Sequence, residues 1–533
     1  MSLQGIEFEY LKLHTNALTA DYLAGSKPAI EFYGGPPDRD SRIGEVAAEV
    51  DKRLDRQRAA RVLEAQRCFK LMPNGRELLD EFVEHDGFIV CSGQQPVLFG
   101  GPLYVLYKCA SAVAAAAACR KLLDRPVLPV FWNASEDHDL AEASSVKLPD
   151  TANELRTLSL PAAGDNYRPL CQLPLGDNLA EARAQLGESL PDTDFRSGIF
   201  ALLDSTFDSS HDFGHAFGEL LAGLFSGHGL FVVDACSPEI RRGAKKLFEQ
   251  EIFDSAASAG EFALSSRALE GAGYHVQVKP RDDDTGLFVL RDRRRVKLQH
   301  GESGFRLKGR DESIGEAELR RMLEETPELF SPGVRMRPLV EAELFGTLCY
   351  LAGPGEMAYY AQLQPLYSLR GLTMPVIRPR LSGILLEAKI ARVLEKYGLD
   401  TGALEQGVDS LAEQLLERDS RWRELTDAVD GLRGTLRQGI QQVAGLLEQT
   451  DPTMKGPLKS TSGAISGSLD KFQGKLTQAA KRRNETMLGQ LRKAGVHLWP
   501  GGGRQEREIS WLYYLVRYGD GLIDWLIERA AAG

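Results

Sequence analysis

No two of the seven cysteines stand in a C-x-x-C pair. They fall at 68, 91, 109, 119, 171, 236 and 349, odd in number and mostly among apolar neighbours. This argues against a disulfide framework and against a zinc site made from cysteine pairs, and reads as reduced, cytosolic usage. None has the cationic surroundings of an activated thiolate, so any cysteine in the chemistry is expected to be a substrate. Basic charge is also scarce: 64 Lys and Arg face 75 Asp and Glu, a formal net charge of −11. A general nucleic-acid binder would carry a basic surface, so nucleic acid is not an expected partner, although a local basic pocket stays open. Long apolar runs are missing too. The longest weakly polar stretch, 105–119, contains Lys108 and is too short to span a bilayer. The first residues carry Glu7, Glu9 and Lys12 and show no signal-peptide core. The expectation is a soluble, cytoplasmic protein with no membrane partner. The P-loop spacing is absent, and so is an H-E-x-x-H to accompany His211 and His215, which are four apart. These two read as ordinary helix residues, and no metal site is expected.

What is present is an ordinary globular composition, 43% hydrophobic and 26% charged, with length for several domains. The most organised stretch runs from residue 88 to 140. Phe88-Ile89-Val90-Cys91 is a buried-strand run that breaks at Ser92-Gly93-Gln94-Gln95-Pro96. The turn Gly100-Gly101-Pro102 leads into a helix at 103–123. A second apolar run at 127–132 ends in Asn133-Ala134-Ser135-Glu136-Asp137-His138-Asp139. Strand, helix and strand of this length make a βαβ unit with parallel strands. In open α/β sheets ligands collect beyond the carboxyl ends of the strands, where both polar clusters lie.

The rest of the chain arranges around that unit. Residues 1–147 are expected to hold N-terminal helices and the first half of a Rossmann-like core. Residues 148–225 read as an insertion with helices, and 226–272 as the core continued, with a buried strand at 229–233. A small β-rich insertion is expected over 273–330, where His275-Val276-Gln277-Val278 and Leu287-Phe288-Val289-Leu290 alternate or run as short strands. Its basic run, Arg291, Arg293, Arg294, Arg295 and Lys297, reads as a solvated edge. The core ends over 331–383, with strands at 348–352 and 375–377. From 384 to 498 the character changes. Val408, Leu411, Leu415, Trp422, Leu425, Val429, Leu432, Leu436, Ile440, Val443 and Leu447 keep the spacing of a coiled-coil seam. A single helix over 408–449 would be roughly 60 Å long. Asp451-Pro452 restarts a helix, Gly456-Pro457 is expected to kink it, and Ile465, Leu469, Phe472 and Leu476 give the returning seam. Trp422, Leu416 and Leu446 would then need cover, so a homodimer through the arm is expected. Residues 499–533 read as a C-terminal helix.

Four groups could carry chemistry. Asn133 and the Glu136-Asp137-His138-Asp139 run form the densest polar cluster at a strand end. It could hold an amine or hydroxyls with His138 as acid/base, or be a solvated loop whose acids cap the next helix; spacing alone leaves the two even. Gln94, Gln95, Gly100, Gly101, Tyr104 and Lys108 flank the first turn. The glycines would let backbone N–H groups approach a ligand, and Tyr104 and Lys108 share a helix face. The plainer alternative is a tight turn and a surface lysine. Glu356, Tyr359 and Tyr360 follow Gly353-Pro354-Gly355 into a helix, facing the same crevice or serving as a helix start with core tyrosines. Arg378 and Arg380 could clamp a carboxylate or phosphate, or form surface salt bridges.

These residues also carry a resemblance. SGQQPVLFGGPLYVLYK at 92–108 and PVFWNASEDHDLAE at 129–142, with GPGEMAYYAQLQPLY at 353–367, MPVIRPR at 374–380 and QER at 505–507, resemble the BshC family of bacillithiol biosynthesis. The matches span nearly the whole chain in order. Two positions depart: Glu341 stands where glutamine is expected, and Gly346 where proline is. The resemblance implies an α/β fold with a Rossmann-like parallel-sheet core like that of class I aminoacyl-tRNA synthetases, with insertions and a long antiparallel coiled-coil arm. The HIGH and KMSKS signatures of those synthetases are not readable here. It implies ligation of L-cysteine to the amine of glucosaminyl-malate, with ATP or another adenine nucleotide activating the carboxylate. Glu136, Asp137 and His138 would then orient the amine and take its proton, with Lys108 counted among the catalytic groups. Gln94, Gln95, Tyr104, Asn133, Asp139, Glu356, Tyr359 and Tyr360 would contact substrate, and Arg378, Arg380 and the Gly100-Gly101 turn would hold phosphate or malate carboxylates. Two alternatives stand beside it: another nucleotide-dependent ligase or transferase, or a non-catalytic protein whose arm recruits a partner. The polar loops at 94–108 and 133–139 disfavour the second, since a scaffold needs none.

Overall fold

The computed structural model describes residues 3–12, 16–37, 40–161, 167–281, 283–301, 304–417, 420–483 and 485–532. The chain divides into two compact units, residues 1–385 with 506–533, and residues 386–505. The first is built on a five-stranded parallel sheet. Its strands are β1 (Phe88–Gln94), β2 (Val127–Asn133), β3 (Phe231–Asp234), β4 (Cys349–Ala352) and β5 (Val376–Pro379), in the order β5-β4-β1-β2-β3. The apolar runs expected to be core strands therefore share one sheet. β3 starts two residues late because Gly229, in the left-handed region at φ 66°, still closes a short turn.

Both faces of the sheet are covered, which is why its strands read as nearly unbroken apolar runs. Ile89, Cys91, Val130, Trp132 and Tyr350 point into one core. On the other face Phe131 joins the core that holds Leu103, Leu106 and Cys109 of α1 (Leu103–Leu123), the crossover from β1 to β2. That helix is long and apolar enough to cross a membrane, but 67% of its apolar window is buried inside the fold, as befits a core crossover. The chain enters the sheet in its middle at β1, builds outward through β2 and β3, then returns to add β4 and β5 on the other side of β1. The direction of winding reverses between β1 and β4.

The β-rich insertion is an antiparallel sheet of Asp284–Arg291, Arg294–Gly301, Gly304–Leu307, Ser313–Ile314 and Phe330–Pro332. Its tight hairpin turns at Asp292 and Arg293, both with positive φ, as a two-residue turn matched to strand twist requires. Residues 275–278 are not a strand. The Val278 peptide instead pairs with the Gln362 side chain, its N–H donating to Oε1 at 2.9 Å and its carbonyl accepting from Nε2 at 2.8 Å. The reduced-cysteine expectation fails at one pair: Cys171 and Cys236 are joined as a disulfide, Cα atoms 6.6 Å apart. The other five cysteines are buried.

The C-terminal segment is not one helix. It breaks into Gln505–Glu508, Trp511–Tyr518 and Gly521–Ala532, and residues from 506 onward belong to the first unit. Trp511 lies against the Gly100-Gly101 turn and donates its indole N–H to the Gly100 carbonyl at 2.8 Å. A Cβ at Gly100 would sit 2.1 Å from the Trp511 ring, and one at Gly101 2.9 Å from Val97. Both glycines have positive φ, 84° and 78°, and both N–H groups are spent inside the turn, on Val97 and Leu98 carbonyls at 3.1 Å. The turn is a packing device and has no N–H groups left for phosphate, which corrects the cofactor role expected of Gly100 and Gly101.

The second unit carries the arm. Two helices, Ser420–Thr450 and Lys455–Arg483, form an antiparallel hairpin tied by Arg433, which reaches Asp470 and Gln473 at 2.8 Å. The first seam is split between Val408–Glu417 and Ser420–Thr450, with residues 418–419 outside the described set. Asp451 accepts the Thr453 N–H at 3.1 Å at the hairpin turn. Pro457 falls in the first turn of its helix, where its missing N–H costs nothing, so the expected kink is unnecessary. Leu425, Leu432, Val443 and Phe472, assigned to the seam, are exposed at 41–57%, and Leu446 at 65%. Two helices can close only one stripe between them. Trp422 is half-buried, and the Leu416 side chain lies outside the described residues.

Gly100→Ala tests the packing role of the glycine turn. It should lower stability by about 1–3 kcal/mol in chemical denaturation, from overpacking and positive φ. Native stability in that variant would show that the turn is not held by Trp511.

Candidate active site

The reversal between β1 and β4 leaves a crevice beyond their carboxyl ends, a cavity of about 320 Å³. Its floor is an ion pair. Lys108, from the second turn of α1, meets Glu356 at 2.6 Å, and also donates to the carbonyl of Gly93 and to Gln94 Oε1 at 3.1 Å. Glu356 is in the first turn of the helix Pro354–Tyr360 and accepts the Gly353 N–H and the Tyr350 hydroxyl, each at 2.7 Å. Burial draws Lys108 below the ordinary lysine value, with the Glu356 charge opposing. Burial works to raise Glu356, but the Lys108 ammonium, the Gly353 N–H and the Arg337 charge together hold the carboxyl below its ordinary value. Lys108 is thus a buried, paired cation, not a surface lysine.

Arg337 forms one wall. It donates to Glu341 at 3.1 Å, to Tyr350 at 3.3 Å and to Tyr359 at 2.9 Å. Arg380 forms another, with both terminal nitrogens on Glu506 at 2.9 and 3.0 Å. This is a bidentate pair within a fully buried setting, in which Ser382 also donates to Glu506 at 3.0 Å. Gln94, Gln95, Tyr104, Glu136 and Asp137 complete the lining together with Trp132, Glu142, Arg295, Tyr350 and Arg507.

The strand-end loop after β2 is fastened from outside. The Leu170 N–H donates to the Asp137 carbonyl at 2.8 Å and the Cys171 N–H to the Ser135 carbonyl at 2.9 Å, while the Ser135 hydroxyl bonds Asp234. Glu136 is buried at 4% exposure, and its Oε2 has no hydrogen-bond partner among the described residues. Burial raises its carboxyl above the ordinary value, with Arg241 and Arg295 opposing. His138 is held below its ordinary value by burial and by the Arg295 charge. Its ring stacks on Tyr167 at 5.7 Å, and it lines a neighbouring larger cavity. Arg295, Gly333 and Val334 line both cavities, but Lys108 lines only the crevice and His138 only its neighbour, so these two expected catalytic groups do not share one lining.

Several expected contacts lie elsewhere. Asn133 points to the opposite side from Trp132 and donates to the Gly214 carbonyl at 2.8 Å, holding the helix Phe213–Leu224. Asp139 caps the short helix Leu140–Ala143 by accepting the Glu142 N–H at 3.1 Å, the plainer of its two readings. Arg378 donates to the Pro37 carbonyl at 2.8 Å and does not line the crevice. Tyr359 supports Arg337 from behind, and the buried Tyr360 packs in the core. His211 precedes its helix. It stacks on His215 at 3.8 Å, and with Glu219 makes a cluster of metal-capable groups. Arg67 bonds His215 and Lys70 meets Glu219 at 3.0 Å, so protein cations already serve that cluster. The residues missed were Arg337, Tyr350, Glu142, Arg295 and Arg507. Arg507 and Glu142 lie in motifs noted above and Arg295 in the basic run, yet no spacing ties them to β1.

A parallel sheet with ligand-sized space at its switch point, joined to a coiled-coil arm, defines a Rossmann-like class of protein with an appended helical hairpin. Residues 1–381 match the family described as "Bacillithiol biosynthesis BshC, N-terminal Rossmann-like domain", and residues 383–531 its "C-terminal coiled-coil domain". The chain belongs to the BshC family of bacillithiol biosynthesis. Among relatives, a protein of Salinibacter ruber named "Putative cysteine ligase BshC" is 32% identical over 511 residues, 95% of this chain and 93% of the relative. One of the same name from Koribacter versatilis is 31% identical over 521 residues, 97% and 96% of the two chains.

The two departures from the family pattern have physical consequences. Gly346 ends the helix Arg337–Phe345 at φ 51°, a conformation closed to proline, whose φ is fixed near −65°. Glu341 is buried beside Arg337, and burial lifts its carboxyl to about 7. The unfolded chain loses that proton near 4.5, so the folded state binds the extra proton between those values and stability falls as pH rises through that window. Glu341→Gln should flatten the pH dependence of unfolding free energy between about pH 4.5 and 7, by up to about 3 kcal/mol. Parallel profiles for the two chains would sink this account.

Proposed function

We propose that this enzyme joins the carboxylate of L-cysteine to the amine of glucosaminyl-malate, with a nucleotide triphosphate activating the carboxylate, in the cytoplasm. The observation that carries it is the buried, polar switch-point crevice with a buried carboxyl, Glu136, whose Oε2 has no hydrogen-bond partner among the described residues, between cationic walls. Burial raises the thiols of Cys68 to about 12 and Cys119 to about 11, and lifts Cys91, Cys109 and Cys349 as well. None of the free thiols is an activated nucleophile, in keeping with cysteine as a substrate.

The chemistry balances in two steps. A carboxylate oxygen of cysteine attacks the α-phosphorus, and the bond to pyrophosphate breaks. The sugar amine then attacks the acyl carbon, AMP leaves with the bonding pair, and the amine gives up a proton. Glu136, whose proton affinity burial raises, is placed to accept that proton. Arg337 and Arg507 offer charge to the acids in place of Arg378 and the glycine turn, while Arg380 is occupied by Glu506. Lys108 and Glu356 neutralise one another and fix the floor.

The test is to mix protein, cysteine, glucosaminyl-malate and ATP and to follow products by mass spectrometry. Amide and AMP should appear in equal amounts, and Glu136→Gln should slow their formation by roughly 10²-fold. Amide accompanied by ADP would replace the adenylate with an acyl phosphate. Failure to form amide with any nucleotide would reject the ligase reading.

The exposed stripe on the arm, Leu425, Leu432, Val443, Leu446 and Phe472, supports a homodimer through that surface. Light scattering at micromolar concentration should give twice the chain mass, and Leu432→Glu with Phe472→Glu should give the monomer. A native monomer would refute the dimer.

A further inference from the structure

The larger cavity next to the crevice has no role in the scheme above. It measures about 820 Å³ and lies between the β-rich insertion and the strand-end loop. Eight lysines and arginines line it against one carboxylate, Asp284, in a chain whose net charge is −11. Asp284 is already bonded to Lys297 at 2.7 Å, Arg335 is paired with Glu251 at 2.9 Å, and Arg310 with Asp292 at 2.6 Å. Lys279, Arg281 and Lys308 have no acidic partner within ion-pair distance among the described residues, and all three are exposed. Arg295 is buried at 8% and bonds only neutral oxygens, Ser331 Oγ at 2.8 Å and the Pro332 carbonyl. Like charges crowded around one hollow repel each other unless an anion fills it. The basic run on the hairpin is therefore not simply a solvated edge, for Arg295 turns inward and Arg294 and Lys297 line the same space.

The walls are of two kinds. Phe262, Phe288, Val278 and Val296 give an apolar side, and the Arg295 guanidinium lies 4.0 Å over the Phe288 ring. Lys297 lies 6.0 Å from the Phe288 ring and Arg335 5.7 Å from the Phe262 ring, so cations border the apolar wall, while Lys279, Arg281 and Lys308 are exposed. A dicarboxylate needs two guanidinium partners and no aromatic wall. An apolar planar ring attached to a chain of anionic groups uses both sides, and the volume suits a ligand of that size.

We propose that this cavity is the binding site for the nucleoside triphosphate, its phosphates held by Lys279, Arg281 and Lys308 at the rim and by Arg295 at the passage to the crevice. Because Arg295 borders both cavities, a phosphate beside it faces the space into which Glu136 opens. The use of the nucleotide rests on the ligase reading, but its binding does not.

The test is titration calorimetry on the full-length protein with ATP alone, without cysteine or sugar. ATP should bind, more weakly as salt rises, and tripolyphosphate should compete. Lys279→Ala/Arg281→Ala/Lys308→Ala changes exposed side chains only, and should raise the Kd for ATP at least tenfold at an unchanged thermal midpoint. An unchanged Kd in the triple variant would overturn the proposal, as would displacement by L-malate with no heat from ATP. Tight ATP binding that is lost in the variant, in a protein that forms no amide, would reject the ligase reading and leave this site standing. Amide formation with an unaltered KM for ATP in the variant would do the reverse.

Discussion

The crevice exists because the winding of the sheet reverses between β1 and β4. Helix α1 leaves β1 toward one face, and the helix Pro354–Tyr360 leaves β4 toward the other. The two strand ends therefore part, and the gap must be closed without being filled. The Lys108–Glu356 pair does this at 2.6 Å. One charge comes from each helix, so the pair sets the distance between the two crossovers. Breaking such a pair by removing one partner costs roughly 3–5 kcal/mol. The Tyr350 hydroxyl, the Gly353 N–H, the Gly93 carbonyl and the Gln94 side chain all bond to these two side chains.

A second constraint comes from the far end of the chain. Glu506 returns to the first unit and grips Arg380 with both oxygens. Arg380 follows β5, so the C-terminal segment is clipped to the edge of the sheet that holds the site. Trp511 adds an apolar clamp over the first turn. The walls are assembled from segments more than 400 residues apart in sequence, and the Arg337 and Arg380 charges are paired within the protein. The buried polar atoms left without a hydrogen-bond partner include Glu136 Oε2, Gln95 Nε2 and Trp132 Nε1 in the crevice, and exposed cations stand at the rim of the adjoining cavity. Such a division, with a rigid paired floor and unpaired groups at the rim, is what preorganised binding requires.

The fold was legible where one physical signal dominated. Unbroken apolar runs ending in polar loops gave the parallel strands, since a strand buried on both faces needs no alternation. Heptad spacing gave the arm. The signal failed where side chains substituted for backbone partners, as at Val278, whose peptide groups are met by Gln362. It failed again where two left-handed residues, Asp292 and Arg293, turned a basic run inward.

The sequence by itself determined that polar groups at Gln94, Glu136, Asp137 and Glu356 follow strands, and strand polarity sends all of them to one end of the sheet. It could not rank the residues within each cluster. Asn133 and Trp132 are adjacent, yet strand alternation sends them to opposite faces, and only the packing of the helix Phe213–Leu224 decides which one meets the site. Arg378 and Arg380 looked alike as a pair. The tertiary structure gave one to the Pro37 carbonyl and the other to Glu506. The reason is general: local pattern fixes which end and which face a side chain reaches, but its partner is supplied by a distant segment that only the folded chain brings near.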